Sequence, residues 1–263
     1  MKLPIYQVDA FTANLFAGNP AAVCISEAWL PDQLMQSIAA ENNLAETAFI
    51  VASEDGFQIR WFTPTVEVDL CGHATLAAAH VAFHHLGQSG DRVVFHSPRS
   101  GKLPVERKGT LLTLNFPADD IRLAIAPSVL LDCFSEQATE VWKGKTDYMV
   151  VVEHESAVRS YQPDFSRLAR VQARGIILTA PGKDTDFVCR FFAPQSGVNE
   201  DPVTGSAHTT LTPYWAERLN KKTLTARQVS RRGGHLVCSL EGSRVYISGE
   251  AVSFLEGWIQ VPG

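Results

Sequence analysis

Short stretches of alternating apolar and polar residues run along most of the chain, interrupted by windows of a different period. Residues 74–86 (ATLAAAHVAFHHL) are apolar nearly all round and stop at Gly87, a pattern that predicts a helix buried on most of its sides. Residues 207–220 take the same place in the second half, with Pro213 implying a kink or a late start. A further helix is expected over residues 31–41, closed by an Asn42-Asn43-Leu44 turn. Residues 47–51, 93–96, 102–106 and 111–115, then 234–240 and 244–249, have the two-residue period of strands and hairpins.

The chain carries its own relative. Arg60-Trp61-Phe62-Thr63-Pro64 returns as Arg190-Phe191-Phe192-Ala193-Pro194, 130 residues later. Cys71-Gly72-His73-Ala74 returns as Thr204-Gly205-Ser206-Ala207 at an offset of 133, and Ser97, Gly101, Leu103 and Gly109 return as Ser230, Gly234, Leu236 and Gly242 at the same offset. The change of three residues falls in residues 195–201. Three matches in order, at nearly one offset, point to two similar halves. Each is expected to wrap an antiparallel sheet around one central helix, an α+β fold of two pseudo-symmetric domains over residues 1–117 and 118–263. The linker is expected over residues 117–127, and packing of the last residues back onto the first domain is left open.

Composition narrows the classes. The chain has 263 residues, 45% of them hydrophobic and 19% charged, which suits a folded core rather than intrinsic disorder. A net charge of -5 without a basic stripe argues against nucleic-acid partners. No apolar run approaches a membrane span, and no signal-peptide pattern opens the chain, so a cytoplasmic location is expected. The five cysteines are odd in number and widely spaced, with no CxxC, so neither disulfide framework nor structural zinc is expected.

The two Gly motifs carry the candidate chemistry. The first N–H groups of a helix lack internal partners, and glycine lets a ligand approach them closely, which suits a carboxylate or a developing oxyanion. Gly72 and Gly205 therefore mark candidate binding loops, with Cys71, Ala74 and Ala207 beside them. His73 and Ser206 follow the two glycines directly, and Asp201 precedes Gly205 by four residues. Glu46 sits among small and apolar residues, and burial there would raise its pKa toward the range of a general base or acid.

Several segments together resemble the phenazine-biosynthesis PhzF-like proteins over essentially the whole chain. These are Asp9-Ala10-Phe11-Thr12 with Phe16-Ala17-Gly18-Asn19-Pro20, Asn43-Leu44-Ala45-Glu46-Thr47-Ala48-Phe49, Glu67-Val68-Asp69-Leu70-Cys71-Gly72-His73-Ala74 and Glu200-Asp201-Pro202-Val203-Thr204-Gly205-Ser206-Ala207. The resemblance implies the diaminopimelate epimerase fold, a homodimer, and a cofactor-free isomerase acting on a small carboxylated, amino-acid-like or cyclic metabolite in a cleft between two domains. It implies that Glu46 moves the proton, while His73, Asp201 and Ser206 bind and polarise the substrate. The related epimerases use two cysteines, whereas this chain has Cys71 and Thr204, and a threonine hydroxyl is too weak an acid to serve unaided. An epimerase or racemase using Cys71 or Glu46 is the alternative enzyme, and a catalytically inactive binding protein on the same fold is the alternative outside enzymes. A helix N-terminus can lower a thiol pKa, which would make Cys71 reactive. No metal site is assigned: His80 and His84 lie one turn apart but have no acidic or Cys partner in their motif. Gly144-Lys145-Thr146 lacks the first glycine of a phosphate loop, and His154-Glu155 lacks the second histidine of a zinc protease.

Overall fold

The window without polar faces forms a helix from Gly72 to His84. Ala74, Leu76, Ala77, Ala78, Ala79, Val81 and Ala82 have no exposed surface. Their small side chains let strands approach on several sides, so burial rather than amphipathicity holds this helix. The computed structural model describes residues 1–134 and 138–262. The chain forms two compact units, Met1–Asn115 with Ser248–Gly263, and Phe116–Ile247.

In the first unit, strand Lys2–Ala10 pairs antiparallel with both Asn19–Ser26 and Ala251–Gln260, so the last strand belongs to the first unit. Asn19–Ser26 runs parallel to Glu46–Ser53, which needs a crossover, and helix Asp32–Asn42 supplies it. Glu46–Ser53 pairs antiparallel with Gly56–Phe62, which pairs antiparallel with Glu67–Val68 and parallel with Arg92–Ser97. The buried helix is the crossover of that second parallel pair. Arg92–Ser97 then pairs antiparallel with Gly101–Lys108.

The second unit repeats this order. Ala138–Lys143 pairs antiparallel with Asp147–Val152, which runs parallel to Gly175–Pro181. Gly175–Pro181 pairs antiparallel with Phe187–Ala193, which meets Val198–Asp201 antiparallel and Thr223–Gln228 parallel. Thr223–Gln228 pairs antiparallel with Gly234–Glu241. The crossover here is a 3-10 turn, Gly205–Ala207, running into helix His208–Leu219. The expectation of purely antiparallel sheets is therefore corrected: each unit is mixed, because helical crossovers return the chain in the same direction and impose parallel pairs.

Pro213 sits inside its helix without ending it. It cannot donate to the Thr209 carbonyl one turn back, and the backbone N–H of Asp119 bonds that carbonyl instead, at 3.1 Å. The stretch expected as a linker is tied into the second unit. The Asp119 carboxylate accepts from the Lys145 N–H and the Thr210 hydroxyl, and Arg122–Leu123 pairs with Ala138–Lys143.

The two halves also share a polar device. Arg60 grips Glu67 with paired contacts of 2.7 and 2.8 Å, and Arg190 grips Glu200 with contacts of 2.7 and 2.9 Å. Each guanidinium also lies over the second aromatic of its own motif, Phe62 at 5.2 Å and Phe192 at 5.0 Å. A serine from the next hairpin adds a second tie in each unit: Ser100 donates to the Asp69 carbonyl, and Ser230 to the Pro202 carbonyl. Together these close the loop just before each Gly motif.

Arg190 is buried and also donates to the Val158 and Tyr161 carbonyls. Arg190→Ala is expected to destabilise the protein by about 3–5 kcal/mol, because Glu200 and two carbonyls lose their partner. Urea unfolding of this variant beside Glu200→Gln measures it, and a loss below about 1 kcal/mol would mean the pair is dispensable.

Candidate active site

The first site begins in a strained loop. Phe11 and Phe16 adopt φ of 64° and 68°, which non-glycine residues rarely do. Gly18 has φ of 65°, and a Cβ there would meet the Ala10 carbonyl oxygen at 2.2 Å. Only glycine fits, and the turn delivers Asn19 to the start of its strand, fully buried. Parallel pairing sets Ala21 opposite Glu46, the first residue of its own strand. Cys71 is the N-cap of the buried helix, and His73 lies in its first turn.

These elements bring Asn19, Glu46, Cys71 and His73 together. His73 Nε2 stands 3.1 Å from Glu46 Oε2, with the imidazole 5% and the carboxylate side chain 20% exposed. His73 Nδ1 faces the Asn19 side-chain amide at 3.1 Å and Cys71 Sγ at 3.5 Å. Glu46 is thus mostly shielded from solvent.

Burial opposes a charge on the His73 ring, yet Cys71 and Glu46 outweigh it and hold the pKa well above the ordinary value. A ring with both protons asks the Asn19 amide to present its oxygen, which a half-turn of that side chain supplies. Cys71 moves the other way from the expectation of a reactive thiol. Burial and the Glu46 charge raise its pKa, against the smaller pull of His73 and of the Ala74 N–H.

The second loop lies in the second unit. Gln228, fully buried, accepts from the Thr204 N–H at 2.9 Å and donates to the Asp201 carbonyl at 2.7 Å, tying the loop at both ends. The Thr204 hydroxyl donates to the Asp201 carboxylate at 2.5 Å. Ser206 Oγ accepts from Arg174 at 2.8 Å, and Arg174 also grips the buried Asp147 through two nitrogens. Gly205 and Ala207 are buried in the 3-10 turn. His208 donates to the Thr204 carbonyl at 2.9 Å, and burial lowers its pKa to about 4 despite that bond, so the ring is neutral.

The sequence-predicted residues fall into two groups: Glu46 at a strand start with Cys71, Gly72, His73 and Ala74 at a helix start in the first unit, and Asp201, Gly205, Ser206 and Ala207 in the second. Asn19, Arg174, Asp147 and Gln228 were not predicted. Asn19 was legible as part of the Gly18-Asn19-Pro20 turn, but nothing local marks Arg174 or Gln228, which reach their loops across long sequence separations.

A family model described as phenazine biosynthesis-like protein matches residues 8–257. The chain belongs to the phenazine biosynthesis-like family. It is 52% identical over 261 residues to an uncharacterized isomerase of Pseudomonas aeruginosa, covering 99% of this chain and 100% of that one. A crystal structure of a PhzF-family phenazine biosynthesis protein from Enterococcus faecalis matches with a TM-score of 0.96 and 44% identity, covering 99% of this chain and 100% of that chain. A probable proline racemase from Agrobacterium radiobacter matches with a TM-score of 0.65 at 10% identity, over 99% and 93% of the two chains, which is a likeness of fold alone. The mixed α and β architecture of this family member is thus shared with family structures and with a racemase. Among the described residues, no helix is long and apolar enough to cross a membrane.

The ring states can be checked directly. Nitrogen-15 NMR near pH 7 is expected to show His73 carrying both protons. His208 is expected neutral, as is His80, whose pKa burial and the neighbouring His84 and His85 lower to about 4. A neutral His73 at that pH would show that Cys71 and Glu46 fail to outweigh its burial.

Proposed function

We propose that this family member is an isomerase that moves a proton between two carbons of a small carboxylated, amino-acid-like or cyclic metabolite, with Glu46 as the proton carrier. The observation that carries this reading is the Glu46 carboxylate standing 3.1 Å from a buried His73 ring. A carbon acid loses its proton only where the growing negative charge is stabilised. The imidazolium and the N–H groups at the start of helix Gly72–His84, around Gly72 and Ala74, are fixed dipoles and charges suited to that task. Glu46 takes the proton from one carbon, the charge spreads toward the substrate's carboxylate or ring, and Glu46 returns the proton to a second carbon. No electron changes hands, so the step needs no redox partner.

Asp201 and Ser206, with the backbone of Gly205 and Ala207, are assigned to the substrate's polar groups, as the family resemblance implies. Arg174 holds Ser206 in place for that role. The fold behind the reading is the pair of similar domains, each built on a central helix. A two-base epimerase is less well supported: the position that matches Cys71 in the second unit holds Thr204, whose hydroxyl is committed to Asp201. The homodimer implied by the resemblance is part of this proposal, and sedimentation velocity reads it directly, a lone monomer at working concentration counting against it.

The decisive test incubates the protein in deuterated water with cyclic amino acids, anthranilate-like dienes and acidic metabolites, following product and label by NMR. Glu46→Gln is expected to lower kcat by about 100- to 10,000-fold, the usual worth of a general base. Ser206→Ala should act mainly on KM, and Cys71→Ser should retain turnover. Full activity in Glu46→Gln removes the proposed carrier; loss of activity in Cys71→Ser favours the epimerase; tight binding without isomerisation or exchange favours a binding protein.

A further inference from the structure

We propose that Glu46, Cys71 and His73 form a three-ligand site for a thiophilic divalent cation, zinc above all. One sulfur, one nitrogen and one oxygen lie within 4.8 Å of one another. The nitrogen and oxygen are 3.1 Å apart, and Cys71 Sγ is 4.0 Å from His73 Nε2. Donors bound tetrahedrally to zinc at about 2.0–2.3 Å stand roughly 3.3–3.8 Å from each other. The two pairs bracket that spacing and the third lies within 4.8 Å, so side-chain shifts of up to about 1 Å bring all three onto one ion.

The donor set chooses the metal. Thiolate and imidazole favour zinc over magnesium, calcium or manganese, which prefer all-oxygen cages. Three protein ligands leave a fourth position for water or a ligand carboxylate, the pattern of open zinc sites. The scaffold is rigid: Cys71 and His73 flank the start of a buried helix, and Glu46 opens a strand. Asn19 contacts the ring nitrogen away from Glu46, where a second partner fixes the orientation of a metal-bound histidine. Binding displaces the thiol proton and the Nε2 proton into solvent, and the ion takes the lone pairs they leave.

Occupation of the site has a consequence that rests on the isomerase reading. An ion bound to Glu46 holds the carboxylate that should carry the proton, so zinc switches turnover off and a chelator restores it.

The binding test needs no substrate. Chelator-treated protein is titrated with cobalt(II) and then with zinc. One equivalent of cobalt is expected to give a thiolate-to-cobalt charge-transfer band in the near ultraviolet, and one equivalent of zinc to abolish it. Cys71→Ser should lose the band with its circular dichroism unchanged, while Cys189→Ser, at a buried cysteine outside the trio, should keep it. His73→Asn and Glu46→Gln should each weaken zinc by more than about tenfold. A wild type without the band, or a band that survives in Cys71→Ser, overturns the site. Zinc bound through the trio without inhibition of turnover upholds the site and instead contradicts Glu46 as carrier.

Discussion

An arginine on one strand, paired through two nitrogens with a glutamate across a short loop, organises each unit. The pairs are Arg60 with Glu67 and Arg190 with Glu200. The register shows what they fix: Phe62 stands opposite Glu67, Trp61 opposite Val68, and Phe191 opposite Asp201. The chain then has only a few residues in which to turn into the Gly motif. A planar, bidentate pair holds that turn in one geometry, where a single contact would allow it to swing. Both pairs are mostly shielded from water; Arg60 and Glu67 have second partners in Asp32 and Arg99, whereas breaking Arg190–Glu200 leaves an uncompensated charge, and the order of the second loop follows from that penalty.

The same scaffold carries unlike chemistry in the two units. In the first, Cys71 and His73 meet Glu46, and the trio is electrostatically coupled, with burial opposed by mutual attraction. In the second, the matching positions hold Thr204 and Ser206, with hydrogen bonds to Asp201 and Arg174. The two units share the loop frame but not the groups on it: the Gly-motif region of the first holds the Glu46–His73 contact, and that of the second holds Thr204 against Asp201. That asymmetry supports the proposed single-carrier proton transfer over a two-cysteine mechanism.

The repeat was legible because arginine, proline and glycine mark it at nearly constant spacing. The buried helix was legible because residues 74–86 have no polar face. Parallel pairing was not, since the direction of a strand is set by the helix that precedes it and leaves no mark on its own alternation. Glu67 and Glu200 were visible as residues but not as partners of Arg60 and Arg190. Glu46 was visible among small apolar neighbours, but its contact with His73 joins a strand start to a helix start 27 residues later. Asn19 with His73, and Gln228 with Asp201 and Thr204, likewise come from packing that no local pattern announces. Cys71 shows the limit of a position-based rule: the helix end pulls a thiol pKa down, but full burial beside a carboxylate pushes it up, and burial wins.

The proposed proton transfer needs Glu46 and His73 to act as one coupled pair, and a nitrogen-15 titration of His73 in the wild type and in Glu46→Gln measures that coupling. Removing the carboxylate charge is expected to lower the His73 pKa, because burial is then opposed by less attraction. A His73 titration that does not move in Glu46→Gln would contradict the pairing, and with it the proton-carrying site built on it.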